Sequence, residues 1–221
     1  MKLSDYVIQF LQEKGIKRIH GVTGGAIMFL TESIRKSNIE FIAMLAEQGA
    51  GIAAEAESIY VNDVSVLLTT AGPGITNAVT AINSAWIDSN PLLVISGQCK
   101  TADSMQGTEL RQKGIQEVDA VEMLKLITKY AKSIKDSKKI KYELEKAFYH
   151  LTHGRKGPVF LELPLDIQNT EIDENNLKSW ISLEEEIETN LSGFTKPNLD
   201  LKINKLIDLF NNSKKISHPC W

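Results

Sequence analysis

VSVLLTTAGPGITNAVTAINSAW, residues 64–86, contains the repeating unit of the fold. Its first seven residues, apart from Ser65, are apolar or β-branched, the pattern of a strand buried on both faces of a parallel sheet. Gly72-Pro73-Gly74 ends the run. Ile75, Val79, Ile82 and Trp86 then recur at steps of four, three and four, the spacing of one helix face. Strand, glycine turn and helix in that order make up part of a βαβ crossover.

The alternation extends in both directions. Upstream, a helix over 4–14 with a Ser/Asp start stops at Gly15. RIHGV (18–22) and FIAML (41–45) read as strands. The first leads through Gly24-Gly25 into a helix carrying Ile27, Leu30 and Ile34, the second into an Ala-rich helix from Glu47 to Tyr60. Downstream, PLLVISG (91–97), YAKSI (130–134) and PVFLELP (158–164) read as strands, with helices over VDAVEMLKLI and KKIKYELEKAFYHLTHG between them. Six strands interleaved with helices predict an α/β fold: a six-stranded parallel, doubly wound sheet with helices on both faces and right-handed crossovers. This domain spans 1–170. Residues 171–197, acidic and poor in periodicity around LEEEIET, read as a linker. Residues 198–221 read as one more amphipathic helix and a short end, the start of an incomplete second domain or a non-native tail.

Composition narrows the function classes. The 221 residues are 43% hydrophobic and 24% charged, ordinary for a globular protein. A net charge of −3 leaves no electrostatic footprint for nucleic acid or an anionic membrane. No stretch approaches the ~20 apolar residues of a membrane span, and MKLSDYVIQF has no apolar signal core. Cys99 and Cys220 have no metal-ligand spacing, so a reducing, cytoplasmic setting is expected. His20, His150, His153 and His218 form no ligand spacing either, and no nucleophile triad is visible.

Two features carry chemistry. Glycine-rich turns follow successive strands in GVTGGA (21–26), TTAGPGITN (69–77) and SGQ (96–98). Glycine permits close approach of backbone to a ligand, but the same turns serve any α/β protein, and neither Gly-Lys-Ser/Thr nor G-x-G-x-x-G is present. Glu47 stands where FIAML hands over to the Ala-rich helix, and strand ends are where open α/β sheets bind ligands. It is either a charge favoured by the first-turn amides or the working acid of a site. Glu55 and Glu57 read as surface charges on the same helix, and Met28, Met44, Met105 and Met123 as core or gap-filling residues.

The ordered set G-V-T-G-G-A, A-E-Q-G-A, T-A-G-P-G-I-T-N, A-W-I-D-S-N-P-L-L-V-I-S-G-Q, I-Q-E-V-D and G-R-K-G-P-V-F-L-E-L-P-L-D-I-Q closely resembles the N-terminal, pyrimidine-binding domain of thiamine-diphosphate enzymes. The nearest group is that of the acetolactate synthase large subunits, and the resemblance runs over about residues 1 to 170. It implies that Glu47 hydrogen-bonds a ring nitrogen of the cofactor's aminopyrimidine and shares a proton with it, supporting the tautomer that activates the thiazolium carbon. It also implies that Thr23, Gly24 and Gly25 lie near the pyrimidine edge, that Gly72, Pro73, Gly74 and Asn77 form the wall and floor under the ring, and that Gln116 faces the substrate side.

Departures from the family pattern fall beside these positions. Ala46 stands where His often precedes the Glu, Thr23 replaces a common Pro, and Ile115 replaces a common Phe. The family's diphosphate-binding domain carries Gly-Asp-Gly and, further on, an Asn that hold Mg²⁺ and the diphosphate. Neither is found in these residues. The resemblance therefore implies a thiamine diphosphate site of which this chain holds only the pyrimidine half, with Mg²⁺ bound through the missing domain. FAD binding, which in the family depends largely on the middle domain, is not supported.

The implied function is that of a 2-keto-acid carboligase or decarboxylase of acetolactate synthase type, inactive alone. Its expected partners are a second copy or a diphosphate-binding domain in trans, and small 2-keto acids. Two alternatives stand beside it: a pyrimidine-domain subunit of a two-chain decarboxylase such as sulfopyruvate decarboxylase, and a non-catalytic dimerisation or regulatory module.

Overall fold

The structure is a computed structural model that describes residues 1–180 and 199–212. The expected acidic linker face around LEEEIET and the end of the chain, with Cys220, lie outside the described residues. Strands β1 (Arg18–Gly21), β2 (Glu40–Ala43), β3 (Ser65–Thr69), β4 (Leu92–Gln98), β5 (Tyr130–Ser133) and β6 (Val159–Pro164) form one sheet in the order β2-β1-β3-β4-β6-β5. Every pairing is parallel. The α/β reading and its six strands stand.

Side chains alternate across the sheet and feed two cores. Val66, Leu68, Leu93, Ile95, Leu161 and Leu163 point to one face, where α1 (Leu3–Glu13), α2 (Met28–Arg35) and α7 (Ile140–Thr152) cover them. Leu67, Leu92, Val94 and Phe160 point to the other, under α3 (Glu47–Val61), α4 (Pro73–Asn77), α5 (Val79–Asp88) and α6 (Ala120–Leu124). Helices thus lie on both faces. β3, β4 and β6 are buried along their whole length, as a continuous apolar run in a parallel sheet requires.

The first compact unit runs through Trp180. Lys2 bridges Glu171, the Met1 carbonyl accepts from the Ile172 amide at 2.9 Å, and buried Trp180 packs on Tyr149 at 4.7 Å between rings. Residues 171–180, read from sequence as the start of the linker, are thereby held to this unit. The expected C-terminal helix is present as α9 (Leu199–Asn212), following the short α8 (Leu165–Gln168). Among the described residues, no helix is long and apolar enough to cross a membrane.

Strand order positions the site. From β1 the chain moves outward to β2, then returns past β1 to continue on the other side as β3 and β4. The β1/β3 junction is therefore a topological switch point. Connections there diverge and leave a crevice beyond the carboxyl ends of the strands, where such sheets bind ligands.

Candidate functional site

Three segments meet at this crevice: the turn after β1, the start of α3 after β2, and the turn after β3. Ala46 is the extended residue before α3 and makes no side-chain cap, and Glu47 is the first helical residue. The half-buried Glu47 carboxylate accepts a hydrogen bond from Asn77 Nδ2, at the end of α4, through Oε2 at 2.7 Å. Its Oε1 points toward Gly74, 3.5 Å from where a Cβ on that glycine would stand. The carboxylate thus faces across the crevice, and among the described residues it takes no hydrogen bond from the first-turn amides of its own helix.

The turn after β3 requires glycine for a steric reason. Gly72 has φ +59° and ψ −117°, a conformation open to glycine and costly for other residues. A Cβ there would fall 2.1 Å from the Gln116 carbonyl oxygen and 2.9 Å from its Cβ. Gln116 itself has φ +53° and is exposed. The fold therefore presses the Gln116 backbone against Gly72 and leaves the Gln116 side chain at the surface, beside exposed Ile115.

Glu117 holds that loop. It is buried and accepts from the Ser104 hydroxyl (3.0 Å) and from the amides of Met105 (2.6 Å), Lys113 (3.2 Å) and Gly114 (2.9 Å). Burial alone would raise its pKa, but these donors outweigh burial and hold the carboxyl below the usual range. Sequence reasoning quoted IQEVD for Gln116 and missed the neighbour that positions it.

The turn after β1 is anchored through Ala26. Its amide donates to Thr70 Oγ1 at 3.3 Å, and its carbonyl accepts from Gln168 Nε2 at 2.7 Å. The same carbonyl lies 2.0 Å from where a Cβ on Gly97 would stand, so β4 can pass only because residue 97 has no side chain. SGQ, expected as a third glycine turn, instead lies inside β4. Gly24 packs on the Thr70 side chain, where a Cβ would meet it at 2.5 Å, and Gly74 meets the same side chain at 2.7 Å. Thr70 therefore sits between the two glycine turns, a role its place in TTAGPG did not reveal. Thr23 and Gly25 are exposed, and no atom lies within 4 Å of a Cβ built on Gly25.

Of the residues singled out, Glu47, Asn77 and Gly74 share one contact set, and Gly72 and Gln116 another. Gly24 joins the crevice through Thr70, and Pro73 is exposed at the start of α4. The result is a pair of closely packed glycine turns with one half-buried acid, Glu47, facing across the crevice between them.

Residues 1–123 match the family described as "Thiamine pyrophosphate enzyme, N-terminal TPP binding domain". The chain belongs to that family. Its relatives include the probable acetolactate synthase large subunit of Methanocaldococcus jannaschii, 35% identical over 173 residues, 78% of this chain and 28% of that protein. The acetolactate synthase large subunit of Lactococcus lactis is 37% identical over 174 residues, 78% of this chain and 29% of that protein. Acetolactate synthase isozyme 3 large subunit of Escherichia coli is 35% identical over 167 residues, with coverages of 75% and 28%. The chain spans less than a third of the length of these curated relatives. It is a thiamine pyrophosphate-binding N-terminal domain related to acetolactate synthase large subunits, and membership in this family implies association with thiamine diphosphate.

Three readings of individual residues change with the structure. Glu55 is 5% exposed and accepts from Ser84 Oγ (3.0 Å) and Asn90 Nδ2 (3.1 Å). Glu57 binds Arg18 and His20, each at 2.8 Å. Neither is a free surface charge, because the Ala/Gly/Ser face of α3 packs too closely on the sheet and α5 to leave them in solvent. Met28 is 49% exposed rather than core, since α2 buries Leu30 and Ile34 instead.

Proposed function

We propose that this chain supplies the pyrimidine-binding half of the active site of a 2-keto-acid carboligase or decarboxylase of acetolactate synthase type. The observation that carries the reading is Glu47 at the β1/β3 switch point, held by Asn77 and facing Gly74. The residues fit the group. Gly24, Gly72 and Gly74 are positions where a Cβ would strike Thr70 or Gln116, so the lack of side chains lets the turns and the Gln116 loop pack closely around the crevice. The acid beside them is turned toward the crevice rather than into its own helix.

Thiamine diphosphate, when bound, supplies the carbanion chemistry. Gly72, Pro73, Gly74 and Asn77 would support its ring, Thr23, Gly24 and Gly25 would border its edge, and the Glu47 carboxylate would hydrogen-bond a ring nitrogen and exchange a proton with it. Asn77 fixes the rotamer of Glu47 by donating to Oε2, which keeps Oε1 available. Gln116, exposed and held by the Gly72 contact and the Glu117 anchor, lies on the side where a 2-keto acid would approach. Mg²⁺ and the diphosphate would be held by a diphosphate-binding domain outside these residues.

A second copy is the expected neighbour. The small residues Ala50, Gly51 and Ala54 of α3 face inward, and a Cβ on Gly51 would meet Ala81 of α5 at 2.5 Å. The outward face carries Ile52, Ala56, Ile59 and Tyr60, a helical stripe in which the three large residues are 49%, 59% and 90% exposed. Such a stripe beside Glu47 suits pairing with a like domain.

The test is reconstitution. The purified 221-residue chain with Mg²⁺, thiamine diphosphate and pyruvate should form no acetolactate, and turnover should appear on adding a diphosphate-binding domain from a related synthase. Turnover by the chain alone, free of host synthase, would refute the half-site reading.

A further inference from the structure

The edge of the sheet opposite the glycine turns has a second concavity. A cavity of about 390 Å³ is lined by Trp86, Ile87, Lys129, Arg155 and Lys156. That is within the range of small-molecule sites, roughly 300–1,000 Å³. Trp86 and Ile87 lie in the last turn of α5, Lys129 immediately precedes β5, and Arg155 and Lys156 belong to the turn between α7 and β6. This turn is the GRKGP segment, which the site at the glycine turns leaves without a role. Gly157 draws the walls together: a Cβ there would lie 3.3 Å from the Lys129 side chain and 3.8 Å from the Trp86 ring.

Three of the five lining residues are cations, and none is a carboxylate. Their hydrogen bonds go only to neutral groups. Lys129 Nζ donates to the His153 carbonyl at 2.7 Å, and Lys156 Nζ to the Asn62 carbonyl at 3.5 Å. Arg155 donates through Nε to Ser89 Oγ at 2.6 Å and through Nη2 to the Ile87 carbonyl at 3.4 Å. Among the described residues, no ion pair includes any of the three. Burial also holds Lys129 below the ordinary lysine range, with no acidic neighbour to counter it. An anion placed among the three would gain charge-assisted hydrogen bonds that their present carbonyl and hydroxyl acceptors do not supply. Trp86, 39% exposed, and Ile87, 62% exposed, add an apolar wall next to the charges.

We propose that this cavity binds a small phosphate-bearing ligand, its phosphate among Lys129, Arg155 and Lys156 and its apolar or aromatic body on Trp86 and Ile87. The site is independent of the glycine turns and of the function proposed for them. Arg155 also donates to the Ile87 carbonyl and the Ser89 hydroxyl at the end of α5, so the test leaves it in place.

The intact chain is titrated by calorimetry with inorganic phosphate, AMP and adenosine at low and high salt. AMP should bind with a submillimolar Kd that weakens with salt, phosphate should bind more weakly, and adenosine should not bind. The Lys129→Met/Lys156→Met double variant should weaken AMP binding at least about tenfold, as expected when charge-assisted contacts are lost. If that variant fails to fold, Trp86→Leu serves in its place and should remove the preference for AMP over phosphate. Absence of AMP and phosphate binding at low salt overturns the proposal. So does adenosine binding as tightly as AMP, or AMP binding unchanged in the folded variant used.

Discussion

Gly72→Ala should damage the fold where the turn after β3 meets the Gln116 loop. The new Cβ would stand 2.1 Å from a backbone oxygen and 2.9 Å from the Cβ of Gln116. Ordinary contacts begin at roughly 3.5 Å, so the Gln116 loop would have to retreat by more than an ångström. That loop is held by the four hydrogen bonds to Glu117 and resists. A non-glycine residue at φ +59° and ψ −117° adds backbone strain of about 1–3 kcal/mol. Overpacking adds about 1–3 kcal/mol more. The sum, about 2–6 kcal/mol, is a large part of the roughly 5–15 kcal/mol that holds a domain together. Urea unfolding of the isolated chain measures it, with Gly25→Ala as the control. A Cβ on Gly25 meets nothing, so that variant should stay within about 0.5 kcal/mol of the parent. Equal stability of the two variants would refute the packing argument and, with it, the account of how Gln116 is placed.

Glu162 and the outward face of α3 give two further predictions. Glu162 is 3% exposed, and burial pushes its carboxyl up to about 7 from an ordinary 4.5. A raised carboxyl leaves stability intact below about pH 4.5 and costs about 3 kcal/mol once pH has risen through 7. Glu162→Gln, which can still accept from Gln98, should match the parent near the acid end and exceed it at neutral to alkaline pH. Parallel stability curves would refute this. Ile52→Glu with Tyr60→Glu, on the outward face of α3, should leave monomer stability within about 0.5 kcal/mol for each change and abolish self-association in sedimentation. A parent that sediments as a strict monomer at high concentration would refute the pairing surface.

The strands were legible because VSVLLTT and PLLVISG state their burial in composition alone, and a sheet covered on both faces tolerates little else. Polar residues inside elements were not legible. Gln98 ends β4 because its amide finds Glu162 at 2.9 Å and the Val118 carbonyl at 3.0 Å, partners that sequence spacing does not reveal. Glu55 and Glu57 were misplaced for a related reason. α3 buries its small Ala/Gly/Ser face and turns the larger Ile52, Ile59 and Tyr60 outward, so apolar periodicity does not say which acids turn inward. Glu47 was legible as a charge at a strand end, and its contact with Asn77 became visible only when α4 folded back beside α3. Thr70 and Gln168 carry no distinctive signal, because each bonds the Ala26 backbone far away in the chain, whereas Glu117 gathers the amides of its own irregular loop, for which no periodic pattern exists.

The central claim is that Glu47 serves the cofactor ring rather than its own helix. Glu47→Gln in a chain reconstituted with its diphosphate-binding domain tests it through two readouts, melting temperature and 2-keto-acid turnover. Gln keeps the size and can still accept from Asn77, but it cannot exchange a proton with a ring nitrogen. The account predicts unchanged melting and turnover lowered by at least about 100-fold, the scale of a lost proton-transfer group. A variant that turns over normally but loses up to about 1 kcal/mol of stability would make Glu47 a helix-start charge and contradict the account.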